Sequence, residues 1–481
     1  MVKKQFDYIT LVILLAIIAV HIYLAAVQAL SFEKEELQRF YLGAKGYVSD
    51  EVWYVDAARN ILRAVFGLEP KQVGGFNATL VYPTKNDALK AASIASQYEV
   101  TVITTSFNKI NAIYVHAKDA NNIKRFAATT NASDVVYGWI LGDAEGINTY
   151  FNLEHPPMAK YIIAIVMALL GDRPLYWRIP SIIMGSLTVI ISFLIAKKLT
   201  KSNELGLIIA SAIAVDPMMR NLASIALLDI YVAMSTALAI LLAVNERYRE
   251  SIIALGFAST FKFTALLAFL PILLLYINNL IRKGEKRFLK IVSRSVDLFI
   301  LMLLSFIFFQ LAVSIPIILK FGLDTWLNQS MLGAISWHLR VKCVGNECPI
   351  SSAPWEWFFG LNSFPLYIYP MGVTIYAQGF VPAYALSFIL LMLTTAYRVF
   401  DSVSKKPWFI LTGFVLAYVM LWLVGSRSQY SFYAVQITPY IYIYLVIQLY
   451  EYIWRETVIK TFEAWKHVFE NAWHIILVLL G

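Results

Sequence analysis

Residues 8–32 read YITLVILLAIIAVHIYLAAVQALSF, an almost unbroken apolar run. About 20 such residues are enough to cross a bilayer as a helix. Similar runs recur to the end of the chain. They are continuous and not alternating, so they predict helices and not the strands of a barrel. Lys3 and Lys4 precede the first run, and Val27-Gln28-Ala29 resembles a cleavage site. The run is nevertheless longer than the apolar core of a typical signal peptide, and it is read as a retained span.

The composition agrees. The 481 residues are 59% hydrophobic and only 15% charged, against roughly 25% charged in a soluble globule. The net charge of +9 is what basic loops give a membrane protein. No basic stretch interleaved with aromatics points to nucleic acid. The two cysteines, Cys343 and Cys348, exclude a disulfide framework and a four-cysteine zinc site. They leave a single local disulfide if their loop faces an oxidising compartment.

Lys and Arg collect on the cytoplasmic side of membrane helices. The basic clusters are Lys3/Lys4, Lys197/Lys198/Lys201, Arg247/Arg249, six residues between Arg282 and Arg294, Arg398 with Lys405/Lys406, and Arg455/Lys460. With all of them inside, spans are expected near 8–31, 174–196, 204–218, 222–244, 250–262, 264–281, 296–319, 373–397, 408–424 and 433–453. That gives ten spans with a cytoplasmic N-terminus, or eleven if the amphipathic tail 455–481 also crosses. The stretch Met158–Gly171 is too short and is expected in the outer interface. The outer loops are then 32–173, 320–372 and 425–432, and the sequons at Asn77, Asn131 and Asn328 all fall in them.

Within the first outer loop the composition turns soluble. Strands are expected at Ala78–Tyr82, Val100–Ser106, Ala112–Ala117 and Val135–Ile140, and helices at Asn86–Tyr98 and Asp119–Thr130. The order β-α-β-β-α-β is that of a ferredoxin-like fold. The expected fold is therefore an all-α polytopic membrane protein with a small α+β domain inserted in its first outer loop. The expected units are 1–66, the first span with an acidic motif; 67–145, the inserted domain; 146–319, a transmembrane core; 320–372, an outer loop; 373–454, the C-terminal spans; and 455–481, the tail. The inserted domain carries no cluster of catalytic residue types and is read as a docking or acceptor-positioning module.

Seven polar motifs gather at the outer boundary. Asp50-Glu51 opens the helical stretch that follows Ser49; such a pair also suits an ordinary helix start. Tyr54 follows it. His155-Pro156-Pro157-Met158-Ala159-Lys160 enters the interfacial helix. Arg178 lies at the outer end of the second span, and its rigid fork suits phosphate. Asp229 is an acid in an apolar span, where charge is costly and functional by default. Then come Lys262-Phe263-Thr264, Pro354-Trp355-Glu356-Trp357, and Arg427 followed by Tyr433 and Pro439.

In this order and wording the motifs resemble the protein O-mannosyltransferase family of the GT-C superfamily of membrane glycosyltransferases. The likeness runs from about residue 45 to 445 and is nearer to prokaryotic and archaeal-like members, since the chain lacks a large domain between residues 320 and 372. It departs from the family in the inserted domain, which separates Asp50-Glu51 from His155. The resemblance implies a sugar carried on a polyprenyl phosphate, dolichyl-phosphate-mannose, and transfer to Ser/Thr hydroxyls of an acceptor protein on the extracytoplasmic face of the cell membrane. A hydroxyl is a weak nucleophile near neutral pH and needs a general base. Asp50 is the candidate, with Glu51 orienting it, and attack on the sugar's C1 would invert. Lys160, Arg178, Lys262 and Arg427 are the candidate phosphate cations. Tyr54, His155, Asp229, Trp355, Trp357 and Tyr433 are candidate substrate contacts. No cofactor is required, and the scattered histidines support no metal site. Two rival readings remain: a related enzyme that glycosylates a lipid, as aminoarabinose transferases do, and a transporter.

Overall fold

The computed structural model describes residues 2–340, 350–400, 406–425, 429–452, 460, 463–468, 470–473 and 475. Cys343, Cys348, Arg427 and most of the tail lie outside them. The first apolar run is one long helix, α1 (Val2–Gln38). After a short loop comes α2 (Glu51–Phe66), which ends where Gly67, at φ +66°, turns its N–H back to the Leu62 and Arg63 carbonyls. A positive φ of that kind is the usual helix stop, and glycine adopts it without a side-chain clash.

The soluble stretch folds as β1 (Phe76–Val81), α3 (Lys85–Ile94), β2 (Thr101–Thr104), β3 (Ala112–Ala117), α4 (Ala120–Thr129) and β4 (Asp134–Tyr137). Thr84 caps α3 and Asp119 caps α4, each through a side-chain oxygen that accepts a first-turn N–H. The strands form one antiparallel sheet in the order β2-β3-β1-β4. The sheet has its own core, in which Leu80, Ile113, Val115, Ile123 and Phe126 are fully buried.

The remaining helices are α5 (Met158–Leu169), α6 (Pro174–Thr200), α7 (Asn203–Val215), α8 (Pro217–Ala223), α9 (Asp229–Val244), α10 (Tyr248–Ala258), α11 (Phe269–Arg282), α12 (Phe288–Phe321), α13 (Leu323–Trp326) and α14 (Gly333–Arg340). A two-stranded hairpin, β5 (Pro365–Ile368) with β6 (Thr374–Tyr376), precedes α15 (Val381–Phe400), α16 (Lys406–Val424) and α17 (Thr438–Tyr452). The chain is thus mostly helical, with the small sheet set between α2 and α5. Its largest core is built chiefly from α6, α7, α9, α10, α16 and α17.

Among the described residues five helices are long and apolar enough to cross a membrane, and six if α7 and α8 count as one bent span. The chain is a multi-pass membrane protein. Three of the expected spans are interrupted or short among the described residues, where polar residues and a proline break their apolar segments. The expected span 204–218 breaks at Asp216-Pro217 with a bend of 58°. There the buried Asp216 carboxylate accepts from Met218 N, Met219 N, Phe380 N and Tyr442 Oη. Expected span 222–244 is interrupted between Ala223, the end of α8, and Asp229, the start of α9, and expected span 250–262 overlaps the 11-residue α10.

Sheet and helices are joined tightly. Gly138, at φ +118°, leaves β4 against the Asp172 carboxylate, where a Cβ would collide. A Cβ at Gly142 would meet Val52 and Asp56 of α2. Between these layers lies a buried polar cluster. Arg59 donates from Nε to Asp172 at 2.6 Å and also pairs with Asp56. Asp172 accepts in addition from Trp139 N and Trp177 Nε1.

Candidate active site

Glu51 is where the site is anchored. Arg178 of α6 donates Nε to Oε1 at 2.8 Å and Nη2 to Oε2 at 2.7 Å, with both side chains wholly buried. The guanidinium also donates to the carbonyls of Ala29 and Gly46. Glu51 accepts two backbone N–H groups, from Val48 and from Ala226 just before α9, each at 2.8 Å. This ion pair thus ties α1, the loop before α2, α6 and the entry to α9. These bonds fix the first turn of α2, and with it the neighbouring residue.

That neighbour is Asp50. Its backbone precedes α2, but its side chain makes no capping bond and no hydrogen bond or ion pair with the described residues. It faces a cavity of about 430 Å³ lined by Asp50, Tyr54, His155, Lys262 and Tyr433 from the expected set, together with Trp53, Glu145, Tyr150, Asn152, Glu154, Phe364, Tyr430 and Phe432. Burial, helped by the nearby Asp229 carboxylate, pushes the Asp50 pKa up to about 6 against the opposing pull of Lys262. A carboxylate titrating there is ionised near neutral pH and still basic enough to take a proton in a transition state.

Across the cavity, Lys262 donates to both Asp229 oxygens at 2.9 Å. An ammonium has three N–H donors, so this pairing does not exhaust it. Its Nζ lies 4.4 Å from the Tyr433 ring centre and 5.3 Å from that of Phe432. Asp229 therefore holds Lys262 in place from beneath. Tyr54 meets His155 edge-on at 5.8 Å, and Trp53 meets Tyr150 edge-on at 5.6 Å.

The remaining expected residues that the structure describes sit outside the lining. Lys160 is fully buried, and its ammonium donates to the carbonyls of Asn152 and His155 and to Asn152 Oδ1. It holds the loop leading into α5, with no surface left for a phosphate. Arg178 is committed to Glu51 and two carbonyls. Trp357 is buried, donates to Ser352 Oγ at 2.9 Å and stands edge-on to Tyr418, which in turn stacks beside Tyr433. Trp355 packs edge-on to Trp422. Arg427 falls outside the described residues.

Reading the sequence missed the wall formed by Tyr150, Asn152 and Glu154. Asn152 Nδ2 donates to Tyr150 Oη at 2.8 Å and to Glu154 Oε1 at 2.9 Å, and the Tyr150 hydroxyl donates to the same oxygen. The available signal was the density of polar side chains just before His155-Pro156-Pro157. Among the described residues no three His, Cys, Asp or Glu side chains come together to hold a metal ion.

No curated protein matches the chain. Two solved structures of ArnT from Cupriavidus metallidurans are similar in outline at 14% identity. The one bound to undecaprenyl phosphate aligns with 87% of this chain and 61% of its own, at a TM-score of 0.42. The apo form aligns with 82% and 59%, at 0.41. The chain spans about three fifths of the length of those structures. Residues 154–312 match the family model for dolichyl-phosphate-mannose-protein mannosyltransferase. In sequence, then, the chain resembles that mannosyltransferase family across the stretch that holds His155, Lys160, Arg178, Asp229 and Lys262.

Proposed function

We propose that the chain is a membrane glycosyltransferase that moves a sugar from a polyprenyl phosphate to the hydroxyl of a Ser or Thr in an acceptor protein. The observation that carries this reading is one cavity with an unpartnered carboxylate, Asp50, on one wall and an ammonium, Lys262, on the other. The family matched over 154–312 supplies the donor class, with mannose as the sugar.

Asp50 takes the acceptor hydroxyl's proton as its oxygen attacks C1 of the sugar. The bond from C1 to the phosphate oxygen breaks on the opposite face, so the configuration inverts. Negative charge builds on the departing phosphate, and Lys262 stabilises it where water is scarce. Arg427 is the second cation the sequence offers for this role. Aromatic faces from Trp53, Tyr430 and Tyr433 give the sugar ring a surface to lie against. Glu51 and Lys160 act through others: Glu51 holds the turn bearing Asp50, and Lys160 holds the loop bearing His155. The active site opens on the extracytoplasmic face, the N-terminus is cytoplasmic, and the sheet of residues 67–145 is a ferredoxin-like domain on the acceptor's side.

The test uses membranes containing the full chain, a radiolabelled polyprenyl-phosphate-sugar and a Ser/Thr peptide. Wild type incorporates label into peptide, and Asp50→Asn loses about 10²–10⁴ of that rate. Label entering only lipid would replace the protein acceptor with a lipid one. Undiminished transfer by Asp50→Asn would remove Asp50 as base.

A further inference from the structure

Away from the cavity, α2, β4 and the loop of residues 147–155 meet in a three-way polar junction. Arg63 lies on α2 roughly 20 Å of helix axis beyond Asp50, at 1.5 Å per residue. Its Nη1 donates to Asp134 Oδ1 at 2.7 Å and to the Val135 carbonyl at 3.2 Å. Its Nη2 donates to Asp134 Oδ2 and to the Asn148 carbonyl, each at 3.1 Å. Asn148 closes the triangle by donating Nδ2 to Asp134 Oδ2 at 3.0 Å. One turn back on α2, the buried Asn60 amide donates to the carbonyls of Ile147 at 2.7 Å and Tyr150 at 2.9 Å.

These bonds grip the backbone of residues 147–150. Tyr150, Asn152, Glu154 and His155 follow directly and line the cavity. The same helix therefore carries Asp50 at its start and the clamps for the loop wall further along. Asp134 belongs to the sheet, so the position of that wall depends on the sheet being docked. Burial works against the Asp134 charge, yet the Arg63 and Asn148 hydrogen bonds hold its pKa below the usual carboxylate range. The clamp stays charged under ordinary conditions.

The two sides of the cavity differ in what can reach them. Lys262 and Tyr433 come from the ends of apolar helical segments, the side from which a lipid-borne donor must arrive. The loop wall is attached to the sheet, which has a soluble composition. We infer that Asp134 and Arg63 are positioning residues for the acceptor: they set the loop wall that the acceptor meets, and the donor side does not depend on them. The kinetic part of this inference rests on the transfer reaction proposed above.

The experiment combines hydrogen-exchange mass spectrometry with kinetics on the full chain, for wild type, Asp134→Asn and Arg63→Lys. Asp134→Asn is isosteric at a position about a quarter exposed, so the fold has little reason to change. Amides of residues 147–155 should exchange about ten-fold faster in Asp134→Asn, as local opening becomes easier, while those of α6 hold. The acceptor KM should rise about ten-fold, with the donor KM and kcat unchanged, because a small misplacement of a contact wall weakens binding by that order. Arg63→Lys, which keeps the charge but not the fork, should fall between. Unchanged exchange in the loop would overturn the inference, and so would a donor KM that moves as much as the acceptor's. A wild type that transfers sugar to no hydroxyl acceptor would defeat the proposed function instead, and the exchange result would still decide whether Asp134 holds the loop.

Discussion

Arg178 and Glu51 form a two-point ion pair with no solvent access to either side chain, although 127 positions separate them. The pair fixes the turn from which Asp50 projects, so in the proposed reaction the arginine would act without touching substrate. Removing one partner from such a buried pair strands the other charge and costs about 3–5 kcal/mol. Glu51→Ala and Arg178→Ala should each sharply lower the yield of folded protein in detergent, and the double variant should lose less than the sum. Thermal melting followed by gel filtration reads this. Singles that melt like wild type would remove the pair from its structural place.

Activity should follow the titration of Asp50. With its pKa raised to about 6, the base is protonated and inactive at lower pH. The rate should climb about ten-fold per pH unit below that point and level off above it. A pH–kcat/KM profile at fixed acceptor tests this, and a profile flat between pH 4.5 and 7 would contradict it.

The same shift has a consequence for stability. The folded-state pKa lies above the 3.8 of an ordinary aspartate, so the contribution is fully present below pH 3.8 and is lost as pH rises through 6. At pH 7.5 the ionised Asp50 is a burden of at most about 3 kcal/mol, at 1.36 kcal/mol per pKa unit. Asp50→Asn should therefore melt higher than wild type at pH 7.5, with the gap narrowing toward pH 4. A variant that melts lower at pH 7.5 would mark Asp50 as a structural cap.

Lys262 should matter to the leaving group. Lys262→Met is expected to cost about 10²–10³ in kcat, the scale of a lost oxyanion donor. Because the single change also strands Asp229, the double variant Asp229→Asn/Lys262→Met separates the effects. It should recover melting temperature but not kcat. Recovery of both would assign the pair a purely structural role.

Much of this arrangement was legible in the sequence. The sheet's element order could be read because strands and helices differ in period and the two helices have capping residues, Thr84 and Asp119. Asp50, Tyr54, His155, Lys262 and Tyr433 stood out as polar groups at apolar boundaries, and all five line the cavity. Other features carried no local signature. Asp56 and Arg59 are three residues apart on α2, but Asp172 joins them only through the tertiary fold, and each alone looks like an ordinary surface charge. The same limit explains Lys160 and Arg178. A buried lysine among carbonyls and a lysine at a phosphate have the same sequence, and only the packing separates them. Tyr150, Asn152 and Glu154 read as a plain polar loop until Asn60 and Arg63 are seen to hold it.

Gly138 and Gly142 bear on how this chain could be re-engineered. The chain returns from β4 to the helices through two points where even a methyl group would strike α2 or Asp172. A grafted replacement of similar size would have to reproduce that bare-backbone approach at both points. Linker length, the usual variable in domain swapping, would not compensate for a side chain there. Interchangeability of the sheet is limited by two missing methyl groups, and chimaeras that ignore them should fail at assembly before any question of catalysis arises.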